Sequence, residues 1–268
     1  MSIRPNTDME GDAAEIIENT AGKYFPSMRR AVARLFDIVF PRDCPVTGEP
    51  SDNPPWRYIS AKGLAVLPRV APPHCETCGF PFYGVLAGSQ ICPHCAQFSP
   101  VFSHGKTAVI AKGAARELVH TLKYRRGTWL AEDMARIIAT TEFYPEFLDS
   151  AMLVPVPLHS ARLRWRGHNQ SLLIVRHLAR ILRDRHLQVA DVLERTKNTL
   201  TQTLLDREER ARNMQRAFAL RAGVSIDVNA RYVVFDDVFT TGSTLNACCS
   251  VLLDAGAKHV DVATFAHG

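Results

Sequence analysis

The sequence predicts an α/β protein, with a central parallel sheet flanked by helices and a small cysteine ribbon in front of it. Three observations carry this expectation. The apolar run 232–235 ends in two carboxylates, Asp236 and Asp237, and leads through a short hydroxyl-and-glycine loop into a helical pattern and a second apolar run, 259–265. That order of strand, helix and strand is a βαβ crossover, which requires parallel strands. A third apolar run, 151–156, closes on Pro155 and Pro157, which cannot donate ladder hydrogen bonds, so a strand must finish there. Upstream, two Cys-x2-Cys pairs, Cys75/Cys78 and Cys92/Cys95, stand thirteen residues apart.

Taken in order, residues 1–23 form an acidic tail with Asp8, Glu10, Asp12, Glu15 and Glu18, expected to be partly disordered. The tail lacks the apolar centre of a signal peptide, and no apolar run reaches the length of a membrane span, so a cytoplasmic protein is expected. Residues 24–71 hold a helix over 24–40, with Met28, Val32, Leu35, Phe36 and Val39 at helical spacing and Pro41 as its stop, then a proline-rich irregular linker. Residues 72–98 are the ribbon, and 99–268 the main domain. Within the latter, 101–111 reads as one or two strands with a turn at Gly105-Lys106. Helices follow over 114–124 and 129–140, separated by Gly127. After the strand 151–156 comes an arginine-bearing loop, then an amphipathic helix 171–185, a short strand 190–193 and a charged helix 206–216. Strand 232–237, helix 243–255 stopped by Gly256, and strand 259–265 close the chain.

Seven cysteines do not form a disulfide framework. Each of the two pairs can chelate through a tight turn, and the spacer can form a hairpin, so four thiolates would complete one structural zinc site. Two redox pairs or two disulfides are the alternative, which a cytoplasmic setting disfavours. Cys44, in Cys44-Pro45-Val46-Thr47-Gly48, looks like a knuckle that has lost its second cysteine and should be free. Cys248 and Cys249 fall on the helix after the hydroxyl loop and read as core filler.

The net charge of +5 is unevenly spread: residues 158–185 hold seven arginines against one acid, Asp184. Such an excess points to an anionic ligand, polyphosphate or nucleic acid, although Arg176, Arg180 and Arg183 alone could be a solvated helix face. The carboxylate pair and the loop Thr240, Thr241, Gly242, Ser243, Thr244 are more specific. Strand, loop and helix place backbone N–H groups at a helix N-terminus, where a phosphate is favoured. Phosphate and carboxylates repel unless a sugar or a metal lies between them, so a sugar phosphate with Mg2+ satisfies both.

This segment resembles the phosphoribosyl pyrophosphate motif of type I phosphoribosyltransferases. The further motifs narrow the family: Leu153-Val154-Pro155-Val156-Pro157-Leu158-His159, Arg162-x3-Arg166-Gly167-His168-Asn169-Gln170, Arg195-Thr196-Lys197, Thr201-Gln202, Arg207-x2-Arg210-x2-Asn213, and upstream Leu122-Lys123-Tyr124-Arg125. With the cysteine ribbon, their order is similar to the ComF family of competence proteins, related to GntX, over about residues 35–268. That family's pattern has two ribbons with eight cysteines, whereas here the first retains only Cys44, so one zinc is expected. The resemblance implies a type I phosphoribosyltransferase-like fold in which Asp236 and Asp237 orient the ribose and share Mg2+ with the ligand. It also implies that Thr240 to Thr244 hold the 5′-phosphate and that His159, Arg162, Arg166 and Lys123 face the pyrophosphate. Asn169 and Gln170 would fix the arginine loop or cap the next helix. Two functions stay open: an enzyme transferring phosphoribosyl to an acceptor, or a binding protein that keeps the phosphoribosyl pyrophosphate site and handles single-stranded DNA in uptake.

Overall fold

In the computed structural model the described residues are 42–51, 53–82, 91–125, 127–197 and 217–268. The expected helices 24–40 and 206–216, and the motif residues Thr201, Gln202, Arg207, Arg210 and Asn213, lie outside them. Residues from Cys44 to Gly268, ribbon included, belong to one compact unit.

The main domain is built on β1 (Gly105–Ile110), β2 (Met152–Pro155), β3 (Gln188–Val189), β6 (Arg231–Phe239) and β7 (His259–His267). They pair in the order β1-β7-β6-β2-β3, and every pairing is parallel. β4 (Leu193–Arg195) and β5 (Phe218–Leu220) form a separate antiparallel pair. Both faces of the sheet are buried, which explains why its strands read as continuous apolar runs. On β6, Val233 and Phe235 join one core cluster with Leu118, Met134, Tyr144 and Val175, while Tyr232 and Val234 join the other with Leu245, Cys248 and Leu252.

Helices α3 (Gly113–Tyr124), α4 (Ala131–Ala139), α5 (Tyr144–Leu148) and α7 (Gln170–Ile181) supply the first cluster, and α8 (Ser243–Asp254) the second. The short α1 (Ala61–Ala65) interrupts the otherwise irregular 50–73 region, and α2 (Pro93–Phe98) closes the ribbon. Buried Tyr144 explains why α5 forms where no periodicity announced a helix. Its hydroxyl donates to the Thr264 carbonyl at 2.5 Å and accepts from the Thr264 amide at 3.0 Å. A buried phenol needs such partners, and docking on β7 supplies them.

Several expectations need correction. No turn occurs at Gly105-Lys106: β1 begins there, because Gly105 pairs with Val262 while its amide bonds to the Glu76 carbonyl. The arginine segment is a helix, α6 (Ser160–Arg166), started by a His159 cap and ended by Gly167 at φ 78°. The helix expected over 171–185 stops at Ile181, and a separate turn of 3-10 helix holds Arg183–Arg185. The short strand expected at 190–193 is two strands, β3 before it and β4 after its start.

Candidate functional site

The chain leaves β2 towards β3 on one side of the sheet and leaves β6 towards β7 on the other. β2 and β6 are neighbours, with Pro155 opposite Phe235, so their C-terminal ends flank the point where the connections diverge. Open parallel sheets bind ligands at such a switch point. Asp236 and Asp237 stand at this edge, with Asp236 opposite Thr264 of β7.

The two carboxylates have different environments. Asp237 is buried and its Oδ1 lies 2.8 Å from Lys123 Nζ, which reaches in from the last turn of α3. Asp236 Oδ1 accepts from Ser171 Oγ at 3.1 Å and from the Asp237 amide at 2.9 Å. Asp236 keeps some accessible surface, but its dense surroundings still weigh against the charged form. Desolvation, and secondly the charge of Asp237, raise its pKa to about 7, with Lys123 and the two hydrogen bonds opposing. A carboxyl poised near neutrality at the switch point of a parallel sheet is a functional-site signal with a physical cause.

Beyond β6 the chain turns at Gly242, φ 76°, which serves as the N-cap of α8 without a side-chain cap. Thr241 Oγ1 and Ser243 Oγ lie 3.0 Å apart, and the Ser243 amide reaches Thr241 Oγ1 at 3.4 Å. Thr240 and Thr241 are exposed, and Ser243 and Thr244 are half-buried. The first amides of a twelve-residue helix and a set of hydroxyls thus collect beside the carboxylates, as an anion requires.

The β2 end contributes less uniformly. His159 Nδ1 accepts from the Ala161 amide at 3.2 Å, so this ring is fixed as a helix cap. Arg162 lies close enough to Arg195 for its charge to lower the Arg195 pKa, after desolvation as the main cause, and Asp236 acts on Arg195 in the opposite sense. Arg166 turns its guanidinium over the Tyr124 ring, 5.3 Å from the centroid. His168 Nε2 pairs with the Leu122 carbonyl at 3.1 Å and ties the segment to α3. Asn169 does both things expected of it: Nδ2 donates to the Val156 carbonyl at 3.0 Å, while Oδ1 caps α7 at the Leu172 amide. Gln170 is buried in the first turn of α7.

The structure therefore brings Lys123, Asp236 and Asp237 together beside the loop 240–244, sets Arg162 near Arg195, and sends Arg166 to an aromatic ring. Sequence reasoning missed Ser171, which carries no signal of its own. It quoted Arg195 as part of a motif without assigning it to the crevice. It missed His94 as well, whose Nε2 lies 3.3 Å from the Thr241 carbonyl.

The four ribbon cysteines are buried, and their sulfur atoms all lie within 4.8 Å of one another, with Cys78 and Cys92 at 3.7 Å. A tetrahedron of Zn–S bonds of about 2.3 Å has edges of about 3.8 Å, so this donor set fits one zinc ion. Amides of Cys92 and Cys95 point at sulfur atoms of Cys75 and Cys92, at 3.3 and 3.4 Å. Cys44, Cys248 and Cys249 are buried outside this cluster, the last two in the core as their helical position implied.

Comparison with known proteins places the chain. It is 32% identical over 194 residues to DNA utilization protein YhgH of Escherichia coli (strain K12), covering 70% of this chain and 81% of that one. The chain belongs to the ComF family. Competence protein F of Haemophilus influenzae is 28% identical over 198 residues, 71% of this chain and 82% of its own length. The YhgH of Salmonella typhimurium is 32% identical over 211 residues, 77% and 88%. No family model matches. Among solved structures, a hypoxanthine phosphoribosyltransferase from Staphylococcus aureus overlaps with TM-score 0.31 at 15% identity, over 51% of this chain and 62% of its own. A purine phosphoribosyltransferase from Pyrococcus horikoshii overlaps with TM-score 0.31 at 18% identity, over 52% and 74%. This ComF protein has a central parallel sheet flanked by helices. Among the described residues, no helix is long and apolar enough to cross a membrane.

Proposed function

We propose that this ComF protein binds phosphoribosyl pyrophosphate with Mg2+ in the crevice between the ends of β2 and β6, and is a phosphoribosyltransferase-type enzyme. The observation that carries the reading is the junction of a carboxylate pair with a donor-lined glycine turn at a helix N-terminus. Asp236 and Asp237 hold the ribose hydroxyls. Thr240, Thr241, Gly242, Ser243 and Thr244 hold the 5′-phosphate, and Arg162, with Lys123 and the His159 turn, faces the pyrophosphate. Mg2+ would supply charge neutralisation between pyrophosphate and carboxylates when bound. Lys123 orients Asp237 through their 2.8 Å ion pair. In transfer, the bond from ribose C1 to the pyrophosphate oxygen breaks, an acceptor nucleophile bonds to C1, and the cationic groups stabilise the departing pyrophosphate. Cys75, Cys78, Cys92 and Cys95 hold one structural zinc, since four thiolates leave no open position.

Calorimetry with phosphoribosyl pyrophosphate, with and without Mg2+, tests the binding. Wild-type affinity in an Asp236→Ala/Asp237→Ala double variant would mean that the site lies elsewhere. Incubation with labelled phosphoribosyl pyrophosphate and a metabolite extract tests transfer.

A second reading is accessory handling of single-stranded DNA, in line with relatives named for DNA utilization and competence. A specific surface favours it. Trp165, 68% exposed, lines a cleft of about 440 Å³ with Arg164 and Arg166, and the 53% exposed Tyr124 ring lies edge-to-face with it, 6.2 Å away. Exposed rings interleaved with arginine suit stacked bases and phosphates. Filter binding of an oligonucleotide at two salt concentrations tests it: Trp165→Ala should weaken binding, and no affinity at low salt ends this reading.

A further inference from the structure

The ribbon meets the turn 241–243 directly from its second knuckle, and from its first through His267 and Phe239. From the second knuckle, His94 stands between two zinc-site cysteines and Nε2 meets the Thr241 carbonyl at 3.3 Å. Phe98, at the end of the same helix α2, stacks on His94 with ring centroids 5.7 Å apart and planes 16° from parallel. A Cβ added at Gly242 would meet Phe98 Cε1 at 3.1 Å and Phe239 Cζ at 2.7 Å, so these rings form the wall against which the glycine turn lies. Just beyond α2, the Val101 amide donates to Asn246 Oδ1 on the first turns of α8 at 2.8 Å. From the first knuckle, Phe80 packs edge-on against His267, which stacks on Phe239 at 4.6 Å.

We infer that the ribbon is a working part of the ligand site, with His94 and Phe98 as positioning residues that hold the turn 241–243 in its anion-accepting shape. The tetrathiolate centre fixes the start of α2, because Cys92 caps it and Cys95 lies within it. α2 in turn presents His94 to the Thr241 carbonyl, for which its Nε2 must carry the proton. An anion at the α8 N-terminus needs the amides of this turn converged beforehand, and an ordered wall supplies that convergence. Linkage then makes the effect reciprocal: whatever zinc does for ligand affinity, ligand does for zinc retention.

Two measurements on the zinc-loaded full chain test this. The first needs no ligand: amide hydrogen exchange over 240–246. In His94→Ala, exchange should quicken about tenfold, as expected for loss of a contact that closes a local opening. Zinc content and melting temperature should stay at wild-type values. His94→Gln, whose amide can still donate to Thr241, should restore slow exchange, which a merely space-filling role would not predict. Phe98→Ala should act in the same direction; if it loses zinc, His94→Ala alone decides. Unchanged exchange in His94→Ala overturns the inference whatever the ligand is. The second measurement rests on the proposed phosphoribosyl pyrophosphate reading. That ligand should slow zinc extraction by a chelator in wild type and fail to do so in His94→Ala. If wild type does not bind the ligand, the reading of function fails while the exchange result still judges the ribbon. If it binds but zinc extraction is unaffected, the coupling is absent and the inference falls.

Discussion

The ends of β6 and β2 meet at one crevice but furnish it in different ways. From β6 the chain delivers everything in nine consecutive residues: two carboxylates, a glycine turn, hydroxyls and a helix N-terminus. From β2 it delivers a short helix whose residues scatter. His159 is consumed as a cap, Arg162 lies within electrostatic reach of Arg195, Arg166 lies on Tyr124, and Arg164 and Trp165 are exposed. The difference follows from geometry. A tight turn with a positive φ at Gly242 fixes the direction of each neighbour, whereas successive residues of a helix project about 100° apart and long arginine side chains, even on one face, can end on different neighbours. Contiguous residues make a site when the backbone itself binds. When side chains bind, residues contiguous in sequence diverge in space.

The largest effect should come from the β6 end. Gly242→Val places a branched side chain at φ 76° against Phe239 and Phe98. Strain and overpacking together should cost about 3 kcal/mol, and phosphoribosyl pyrophosphate binding should vanish. Chemical denaturation and calorimetry check this, and retained binding would show that the turn does not touch phosphate.

Next comes the ion pair between α3 and the β6 end. Lys123→Ala leaves the buried Asp237 carboxylate without its cation. The expected loss is about 2 kcal/mol, less than for a fully buried pair because Lys123 keeps some solvent. Adding Asp237→Asn should recover part of it. A double-mutant cycle measures the coupling, and strict additivity would show that the ion pair contributes nothing.

The Asp236 carboxyl should give a smaller, pH-dependent effect. Its folded pKa, about 7, stands above its ordinary value, so the native state holds the proton more tightly than the unfolded chain. The contribution to stability is fully present below about pH 4 and is lost as pH rises through about 7. Asp236→Asn should therefore flatten that part of the stability profile and melt a few degrees above wild type at pH 8. Denaturation at pH 5 and pH 8 tests this; an unchanged slope between them would place the carboxyl's titration elsewhere.

The smallest effects belong to the β2 side and decide how far the arginines divide. Arg162→Ala should weaken phosphoribosyl pyrophosphate about tenfold, Arg166→Ala by less than about threefold, and reversal of Arg176, Arg180 and Arg183 hardly at all. Those last three are exposed, and Arg183 lies past the end of α7. Oligonucleotide binding should instead respond most to Arg166→Ala, since Arg166 lies on the Trp165 cleft. Equal losses for all five arginines, with both ligands, would make the segment one continuous anion surface.

The parallel βαβ unit, the strand stop at Pro155, the four-cysteine cluster and the glycine turn before α8 were all legible in the sequence. Each is a local device: apolar runs, prolines that cannot donate, chelating pairs and a glycine at a turn all act between residues close in the chain. Tertiary structure alone decided which side chains from distant elements meet the turn. Ser171 reaches Asp236 from 65 residues away in sequence, and His94 reaches Thr241 from 147. Neither spacing leaves a periodic or motif signal. Packing of α7 and the ribbon against the sheet brings these residues in, and the energetics of that packing are summed over the whole core. The raised pKa of Asp236 has the same origin, since burial and a neighbouring charge are properties of the assembled crevice and not of the residue.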